Sequence, residues 1–216
     1  INTANIFLQG DYLSSTWTLS SDGNGGTIVV DPVADSSWQT LKVGAGGFIR
    51  GMDIAPDGTI VGRTDTYGAY LWSGTEWMQL VTATSMPAAF VAANEDSTLL
   101  GQGVYEIQIA SSDTQIFYMM YDGYVFKTTN QGTTWTQTSF AQVSTNPNDN
   151  YAQYGQKMAI DPSNPNIVYV GTPSNGLWVT NNGGSTWQQV SQVPAASAPS
   201  GFTGILFDPA IGGTVN

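Results

Sequence analysis

Apolar residues along this chain alternate with polar ones in short runs, and polar or Gly-containing turns separate the runs. From about residue 36 onward, one such run occurs four times at intervals of roughly 50 residues. The four copies are Met-Asp-Ile-Ala-Pro-Asp at 52–57, Ile-Gln-Ile-Ala-Ser-Ser at 107–112, Met-Ala-Ile-Asp-Pro-Ser at 158–163 and Ile-Leu-Phe-Asp-Pro at 205–209. A short alternating stretch that leads into a polar turn predicts a β-strand followed by a hairpin turn.

Each of the first three copies is followed by the same succession of features. A strongly apolar strand comes first, then a Gly-containing turn, a third strand and a Trp-bearing strand with Trp77, Trp135 or Trp187. Four strands in about 50 residues are typical of a β-propeller blade. We therefore predict an all-β chain in which residues 35–216 are a partial β-propeller of four-stranded blades, with blades at 36–80, 81–140 and 141–193 and another beginning at 202.

The turns before the last two Trp residues are nearly identical, reading Thr-x-Asn-x-Gly-x-Thr-Trp at 128–135 and 180–187. The Asn side chain can accept hydrogen bonds from backbone N–H groups, the Gly can adopt a positive φ, and the Trp can pack between blades. These turns resemble the Asp-box hairpin of sialidase-type propellers, with Asn where Asp is usual. The resemblance implies a structural role for their key residues, which are Asn130, Gly132, Trp135, Asn182, Gly184 and Trp187.

Residues 1–34 form a separate segment, which we interpret as a small β module or the end of a preceding repeat. Its alternating pattern and the Asp-Gly-Asn-Gly-Gly run at 22–26 predict two or three strands around a tight turn. The segment resembles repeat units of large bacterial secreted, adhesin-like proteins. Calcium binding by the Gly-rich run is an alternative, but a single copy supplies few carboxylates, so we favour a plain hairpin turn.

Composition narrows the classes of function. The chain has 16 acidic and 5 basic residues, a formal net charge of −11, and neither Cys nor His. Because such an acidic surface repels phosphate groups, we predict no nucleic-acid partner. A neutral polysaccharide experiences no such repulsion. Without Cys and His, acid–base chemistry falls to Asp, Glu, Tyr or Lys, and we expect neither a cofactor nor a metal. No apolar run approaches the roughly 18 residues of a membrane span, which predicts no membrane insertion.

Three blades and the start of another are fewer than a closed ring uses, since propellers usually have at least four blades. The chain also begins at Ile1 and reaches Asn216 just after a new strand-like segment has started. We therefore expect this sequence to be a fragment, with the remaining blades elsewhere in a longer chain.

Two stretches are more specific than a generic propeller. The first joins Val-Gly-Ala-Gly-Gly-Phe-Ile-Arg-Gly at 43–51 to Gly-Arg-Thr-Asp-Thr-Tyr-Gly-Ala-Tyr-Leu-Trp at 62–72. The second joins Tyr-Gly-Gln-Lys-Met-Ala-Ile-Asp-Pro at 154–162 to Asn-Gly-Leu-Trp at 175–178. Both resemble glycoside hydrolase family 74, the xyloglucanases and oligoxyloglucan-specific cellobiohydrolases, over about residues 36–209. The resemblance implies a secreted, extracellular bacterial protein that acts on a neutral β-1,4-glucan such as xyloglucan.

The resemblance also implies a role for one carboxylate. The Arg-Thr-Asp motif of the family contains its catalytic base, and Asp65 occupies that place. The family inverts the anomeric centre, so a second carboxylate must act as the acid. No residue of this sequence corresponds to that acid, which implies that the chain alone is inactive.

Sugar contacts are expected around Asp65, because aromatic faces can stack on pyranose rings. The candidate substrate-binding residues are Arg63, Tyr67, Tyr70 and Tyr154. The usual pattern of the family is altered nearby. Tyr67, between Thr66 and Gly68, stands where the family usually has Gly, and Gln156 and Lys157 replace a Glu-Arg pair. Asp65 as a turn residue that bonds backbone N–H groups remains an alternative, as does a non-catalytic propeller that binds glycan or protein.

Overall fold

The computed structural model describes residues 18–24, 27–30, 47–94, 99–150, 152–193, 195 and 201–208. The chain divides into two compact units, Ile1–Leu41 and Lys42–Asn216. In the first unit, β1 (Thr18–Ser21) and β2 (Thr27–Val30) form an antiparallel hairpin. In its turn, the N–H of Asn24 donates to Asp22 Oδ1 over 2.8 Å, as an Asx turn does. The boundary at residue 34 and the choice between a plain turn and a calcium site stay predictions.

The second unit contains three four-stranded antiparallel sheets, and in each the strands pair in chain order. The first sheet is β3 (Ile49–Ile54), β4 (Ile60–Thr64), β5 (Ala69–Trp72) and β6 (Trp77–Gln79). The second is β7 (Glu106–Ile109), β8 (Phe117–Tyr121), β9 (Tyr124–Thr128) and β10 (Thr136–Gln137). The third is β11 (Met158–Asp161), β12 (Asn164–Gly171), β13 (Leu177–Thr180) and β14 (Gln188–Gln189). The predicted fold class, a propeller of four-stranded blades, is confirmed.

A short helix, α1 (Ala88–Ala93), and a 3-10 turn at Leu99–Gly101 connect the first sheet to the second. The strand pattern did not predict either of them. Phe90 of α1 is buried and packs edge-on against Phe126 of β9, with ring centroids 5.0 Å apart. The helix therefore closes one side of the core between the first two sheets.

The second sheet is buried on both faces. Alternate residues of β8 point in opposite directions, as a strand requires. Phe117, Met119 and Tyr121 join the core shared with the first sheet, whereas Tyr118 and Met120 join the core shared with the third. This burial on both faces explains why the sequence of β8 is a continuous apolar run and does not alternate with polar residues.

Each Trp of the two matching turns ties its sheet to the preceding one. Trp135 Nε1 donates to the carbonyl of Leu80, directly after the last strand of the first sheet, over 2.9 Å. Trp187 Nε1 donates to Thr138 Oγ1, just after the second sheet, over 3.2 Å. These Trp residues therefore lie between successive sheets.

The two turns have the same internal hydrogen bonds. Asn130 Oδ1 accepts the N–H of Thr134 over 2.9 Å, and Thr128 Oγ1 accepts the N–H of Gly132 over 3.0 Å. The second turn repeats these two bonds: Asn182 Oδ1 accepts the N–H of Thr186, and Thr180 Oγ1 accepts the N–H of Gly184, each over 2.9 Å. The Gly residues have φ values of +81° and +90°, in the region that favours glycine.

We expect Gly132→Ala to destabilise the protein more than Gly58→Ala. Both residues have positive φ (+81° and +89°), so both substitutions cost about 1 kcal/mol in backbone strain. Only at Gly132 would the new Cβ also clash, lying 2.6 Å from Leu80 Cδ2 of the neighbouring sheet. That clash adds about 1–3 kcal/mol. Chemical denaturation of the two variants measures the difference, and equal losses would contradict this account.

Candidate functional site

Asp65 lies in the turn between β4 and β5. We call the end of the sheets that carries the turns between second and third strands the upper end. Asp65 Oδ1 accepts the N–H of Phe48 over 2.6 Å, and its own N–H donates to the Phe48 carbonyl over 3.1 Å. The carboxylate is therefore oriented by the backbone that enters β3, the first strand of the same sheet.

Two glycines permit this arrangement because the backbone approaches too closely for a side chain. A Cβ on Gly47 would lie 2.8 Å from Asp65 Oδ1, and one on Gly103 would lie 2.3 Å from the Thr64 carbonyl oxygen. Residues 101–103 run alongside the turn, and the N–H of Tyr67 donates to the carbonyl of Gly101 over 2.8 Å. The Asp65 turn is thus held between the strand entry and the following connection.

The long connection from β10 to β11 reaches across to the first sheet. Asn148 Nδ2 donates to the Asp65 carbonyl over 3.3 Å, and Arg50 Nη1 donates to Gln153 Oε1 over 2.6 Å. Sequence reasoning missed these partners, because they come from 83 and 103 residues away along the chain. The site is therefore built from segments that belong to different sheets.

The loop at 146–150 is organised by its own polar groups. Asn146 Nδ2 donates to Asp149 Oδ1, and Asn146 Oδ1 accepts the N–H of Asn148, each over 2.9 Å. These bonds set the loop conformation that directs Asn148 toward Asp65.

Three large aromatic side chains at the upper end are well exposed: Phe48 at 62%, Tyr154 at 52% and Tyr67 at 49%. Arg50 lies over the Phe48 ring, with Cζ 5.5 Å from its centroid. Exposed aromatic faces beside an oriented carboxylate and amide groups are suited to stacking on sugar rings and bonding their hydroxyls.

Tyr67 has an unusual backbone conformation, with φ of +61°. Its carbonyl accepts a hydrogen bond from Gln79 Nε2 over 3.0 Å. The equivalent turn of the second sheet has Asp122 at φ +49°, and Gln142 Nε2 bonds its carbonyl over 3.0 Å. Asp tolerates this region better than an aromatic residue does, so the first sheet places a strained Tyr where its neighbour has a residue suited to the turn.

Arg63 and Tyr70 lie in the interior. Arg63 is only 3% exposed, and its Nε lies 3.2 Å from Glu106 Oε1. Tyr70 is also buried, and burial raises the pKa of its phenol. From the sequence we expected both residues to contact a ligand directly. Their burial favours a supporting role instead.

The two departures at 156 and 157 have structural partners. Gln156 Nε2 donates to Gln108 Oε1 over 2.7 Å, so an amide pair stands where the family resemblance led us to expect a charge. Lys157 is 1% exposed, and its N–H donates to Glu106 Oε2 over 2.7 Å. Glu106 therefore joins Arg63 and Lys157 in one buried cluster.

Within the described part of the chain, no helix has the length and apolar character needed to span a membrane. Nor do the described residues contain a group of three or more acidic side chains arranged to hold a metal ion.

Comparison with known proteins relates the chain to xyloglucanases, although no family model matches it. A xyloglucanase of Hypocrea jecorina is 30% identical over 182 residues, which cover 77% of this chain and 20% of that protein. The oligoxyloglucan-reducing end-specific xyloglucanase of Emericella nidulans is 26% identical over 187 residues, or 81% of this chain and 22% of that protein. The chain thus spans about a fifth of the length of these relatives.

Solved structures agree. A Niastella koreensis GH74 enzyme matches with a TM-score of 0.64 and 29% identity, covering 79% of this chain and 25% of that one. The GH74 xyloglucanase of Xanthomonas campestris also gives a TM-score of 0.64, at 23% identity over 82% of this chain and 27% of that one, which bears on the fold alone. The predicted resemblance to the family 74 propellers is confirmed.

We expect Tyr67→Asn to stabilise the protein by about 0.5–1 kcal/mol, because Asn tolerates positive φ better than Tyr. Tyr154→Asn is the control, since Tyr154 is similarly exposed but does not have a positive φ. Thermal unfolding compares the two variants. A stability gain at Tyr154 as large as that at Tyr67 would contradict an origin in backbone strain.

The buried cluster predicts a specific pH dependence of stability. Burial lowers the pKa of Lys157 to about 8 and raises the pKa of Tyr105, whose ring Lys157 overlies, to about 12. Between about pH 8 and pH 10, the unfolded lysine keeps a proton that the folded one has lost, so the free energy of unfolding rises with pH. Above about pH 10 the unfolded tyrosine loses its proton first, so stability falls again.

Urea denaturation from pH 7 to pH 11 measures this profile. The rise should be on the order of 1 kcal/mol per pH unit. Lys157→Met should remove the rise and leave the fall above pH 10. An unchanged rise in that variant would show that another group is responsible.

Proposed function

We propose that this chain forms part of the substrate-binding face of a secreted, inverting glycoside hydrolase that acts on a xyloglucan-like β-1,4-glucan, with Asp65 as the general base. The observation that carries the proposal is the Asp65 carboxylate, which the Phe48 N–H orients over 2.6 Å at the upper end of the first sheet. The relation to xyloglucanases and the exposed aromatic residues around Asp65 support it.

In this proposal Asp65 takes a proton from a water molecule as the water oxygen attacks the anomeric carbon. The glycosidic C–O bond breaks, and a second carboxylic acid protonates the leaving oxygen from the opposite side. The bond from Phe48 keeps one oxygen of Asp65 in place while the carboxylate accepts the proton. We assign the second carboxylic acid to a part of the full-length protein outside this chain.

The substrate class follows from the surface around Asp65. Phe48, Tyr67 and Tyr154 offer aromatic faces to pyranose rings, and the Gln153 and Asn148 amides are polar groups of the same region. A neutral polysaccharide can approach a chain of net charge −11 without repulsion. Action on such a polymer is consistent with an extracellular location.

A second candidate is a non-catalytic glycan-binding propeller. It is favoured by Tyr67, which brings a large ring with positive φ into the turn that contains Asp65. In that case Asp65 would serve as a turn residue whose carboxylate bonds the Phe48 N–H.

Comparing Asp65→Asn with wild type in the full-length protein tests the proposal. Release of reducing sugar from xyloglucan should fall by about 10²–10⁴-fold in kcat, because Asn cannot accept the proton. Asp113→Asn is the matched control. Asp113 is exposed and caps the β7–β8 turn through the N–H of Gln115, and Asn can make the same bond.

Equal activity in wild type and Asp65→Asn would eliminate Asp65 as the base. Xyloglucan binding without turnover in the wild-type protein would instead support the glycan-binding candidate. If the wild-type protein neither cleaves nor binds xyloglucan, both candidate functions are rejected.

A further inference from the structure

The segment that carries Gln153 and Tyr154 is held in place by hydrogen bonds from buried side chains to its backbone carbonyls. Lys157 Nζ donates to the carbonyl of Tyr154 over 2.6 Å and to the carbonyl of Ala152 over 3.2 Å. Arg63 Nη2, from the first sheet, donates to the same Ala152 carbonyl over 3.2 Å. Two buried cations therefore converge on one short stretch of backbone.

Glu106 bonds the side chain of Arg63 and the backbone of Lys157. Its Oε1 pairs with Arg63 Nε at 3.2 Å, and its Oε2 accepts the backbone N–H of Lys157 at 2.7 Å. A buried carboxylate that bonds both partners is not readily replaced by water, so the cluster couples the first, second and third sheets. Hydrogen bonds from charged donors are also stronger than neutral ones.

On its solvent side, the same segment forms part of the site at Asp65. Gln153 Oε1 accepts Arg50 Nη1 over 2.6 Å, while half of the Tyr154 surface is exposed. Lys157 itself has almost no exposed surface and cannot touch a polymeric ligand. Any effect of Lys157 on ligand binding must therefore pass through the backbone that it holds.

We propose that Lys157 is a positioning residue, which fixes residues 152–154 so that Tyr154 and Gln153 form one wall of the ligand site beside Asp65. The choice of ligand, a xyloglucan-like glycan, rests on the proposed function, whereas the anchoring of the segment does not. Burial lowers the pKa of this amine, which shows that the position is costly for a cation. A residue placed there against that cost is explained by the two carbonyls that it bonds.

Lys127 provides a matched control. Its Nζ donates to Asn166 Oδ1 over 3.3 Å and lies 5.3 Å from the centroid of the Tyr118 ring, so it too is an aromatic-stacked lysine between the second and third sheets. It lies near the end of β9, next to the turn at 128–135 and away from the upper end. Removing its amine tests for a general loss of packing without touching the 152–154 segment.

The experiment compares wild type with Lys157→Met, Lys157→Arg, Lys127→Met and Tyr154→Ala in the full-length protein. Amide hydrogen exchange of peptides covering residues 152–157 reports the anchoring, and calorimetry with a xyloglucan oligosaccharide reports the affinity. We expect Lys157→Met to accelerate exchange in these peptides and to weaken binding about tenfold, the size of a lost aromatic contact. Lys157→Arg should keep both the exchange rate and the affinity near the wild-type values, and Lys127→Met should change neither.

The double variant of Lys157→Met with Tyr154→Ala should bind no more weakly than Tyr154→Ala alone, because both act through the same wall. Unchanged exchange at 152–157 in Lys157→Met would overturn the inference. So would the same acceleration in Lys127→Met, which would indicate general loosening. If wild type does not bind the oligosaccharide, the proposed ligand is wrong, and the exchange data alone decide whether Lys157 anchors the segment.

Discussion

The burial of the second sheet between its two neighbours is the constraint on which the rest of this structure depends. All five residues of β8 are fully buried, with alternate side chains in the two cores. A flat sheet face cannot remain apolar in water, so each face of this sheet must pack against another. Stacking sheets in this way directs their connecting turns to two common ends. The end with the turns between second and third strands is where Asp65 is found.

The polar interior near that end has a different task. Arg63, Glu106 and Lys157 are buried charges, and burying charges is favourable only when they are paired and hydrogen-bonded. Glu106 pairs with the Arg63 side chain and accepts the backbone N–H of Lys157, and both cations donate to the Ala152 carbonyl. The apolar cores hold the sheets together non-directionally, whereas this cluster adds directed bonds that set the position of one loop. Its position below the exposed aromatic residues connects the stability of the stack to the shape of the proposed site.

The relation to xyloglucanases gives these features a functional context, over a chain that spans about a fifth of the length of those relatives. The local chemistry differs from the pattern that the family resemblance led us to expect. Tyr67 has a positive φ in the turn of Asp65, and Gln156 pairs with Gln108 instead of contributing a charge. Both changes alter the surroundings of the proposed base and leave the fold intact, because they fall in turns and at sheet entries outside the apolar cores.

The sequence by itself determined the fold class, because local rules suffice for it. Period-two alternation, the apolar run at 117–121 and the Thr-x-Asn-x-Gly-x-Thr-Trp turns each depend on residues close together in the chain. Sequence similarity also singled out Asp65 as a candidate. Only the tertiary structure showed that Arg63 and Tyr70 are buried, that Asn148 and Gln153 reach the Asp65 region, and that Lys157 holds the backbone of Tyr154. The contacts of Asn148 and Gln153 join segments far apart in the chain, and the approaches of Gly47 and Gly103 to the Asp65 turn are likewise set by packing. Local sequence preference does not encode which distant segments the stacking of sheets brings together.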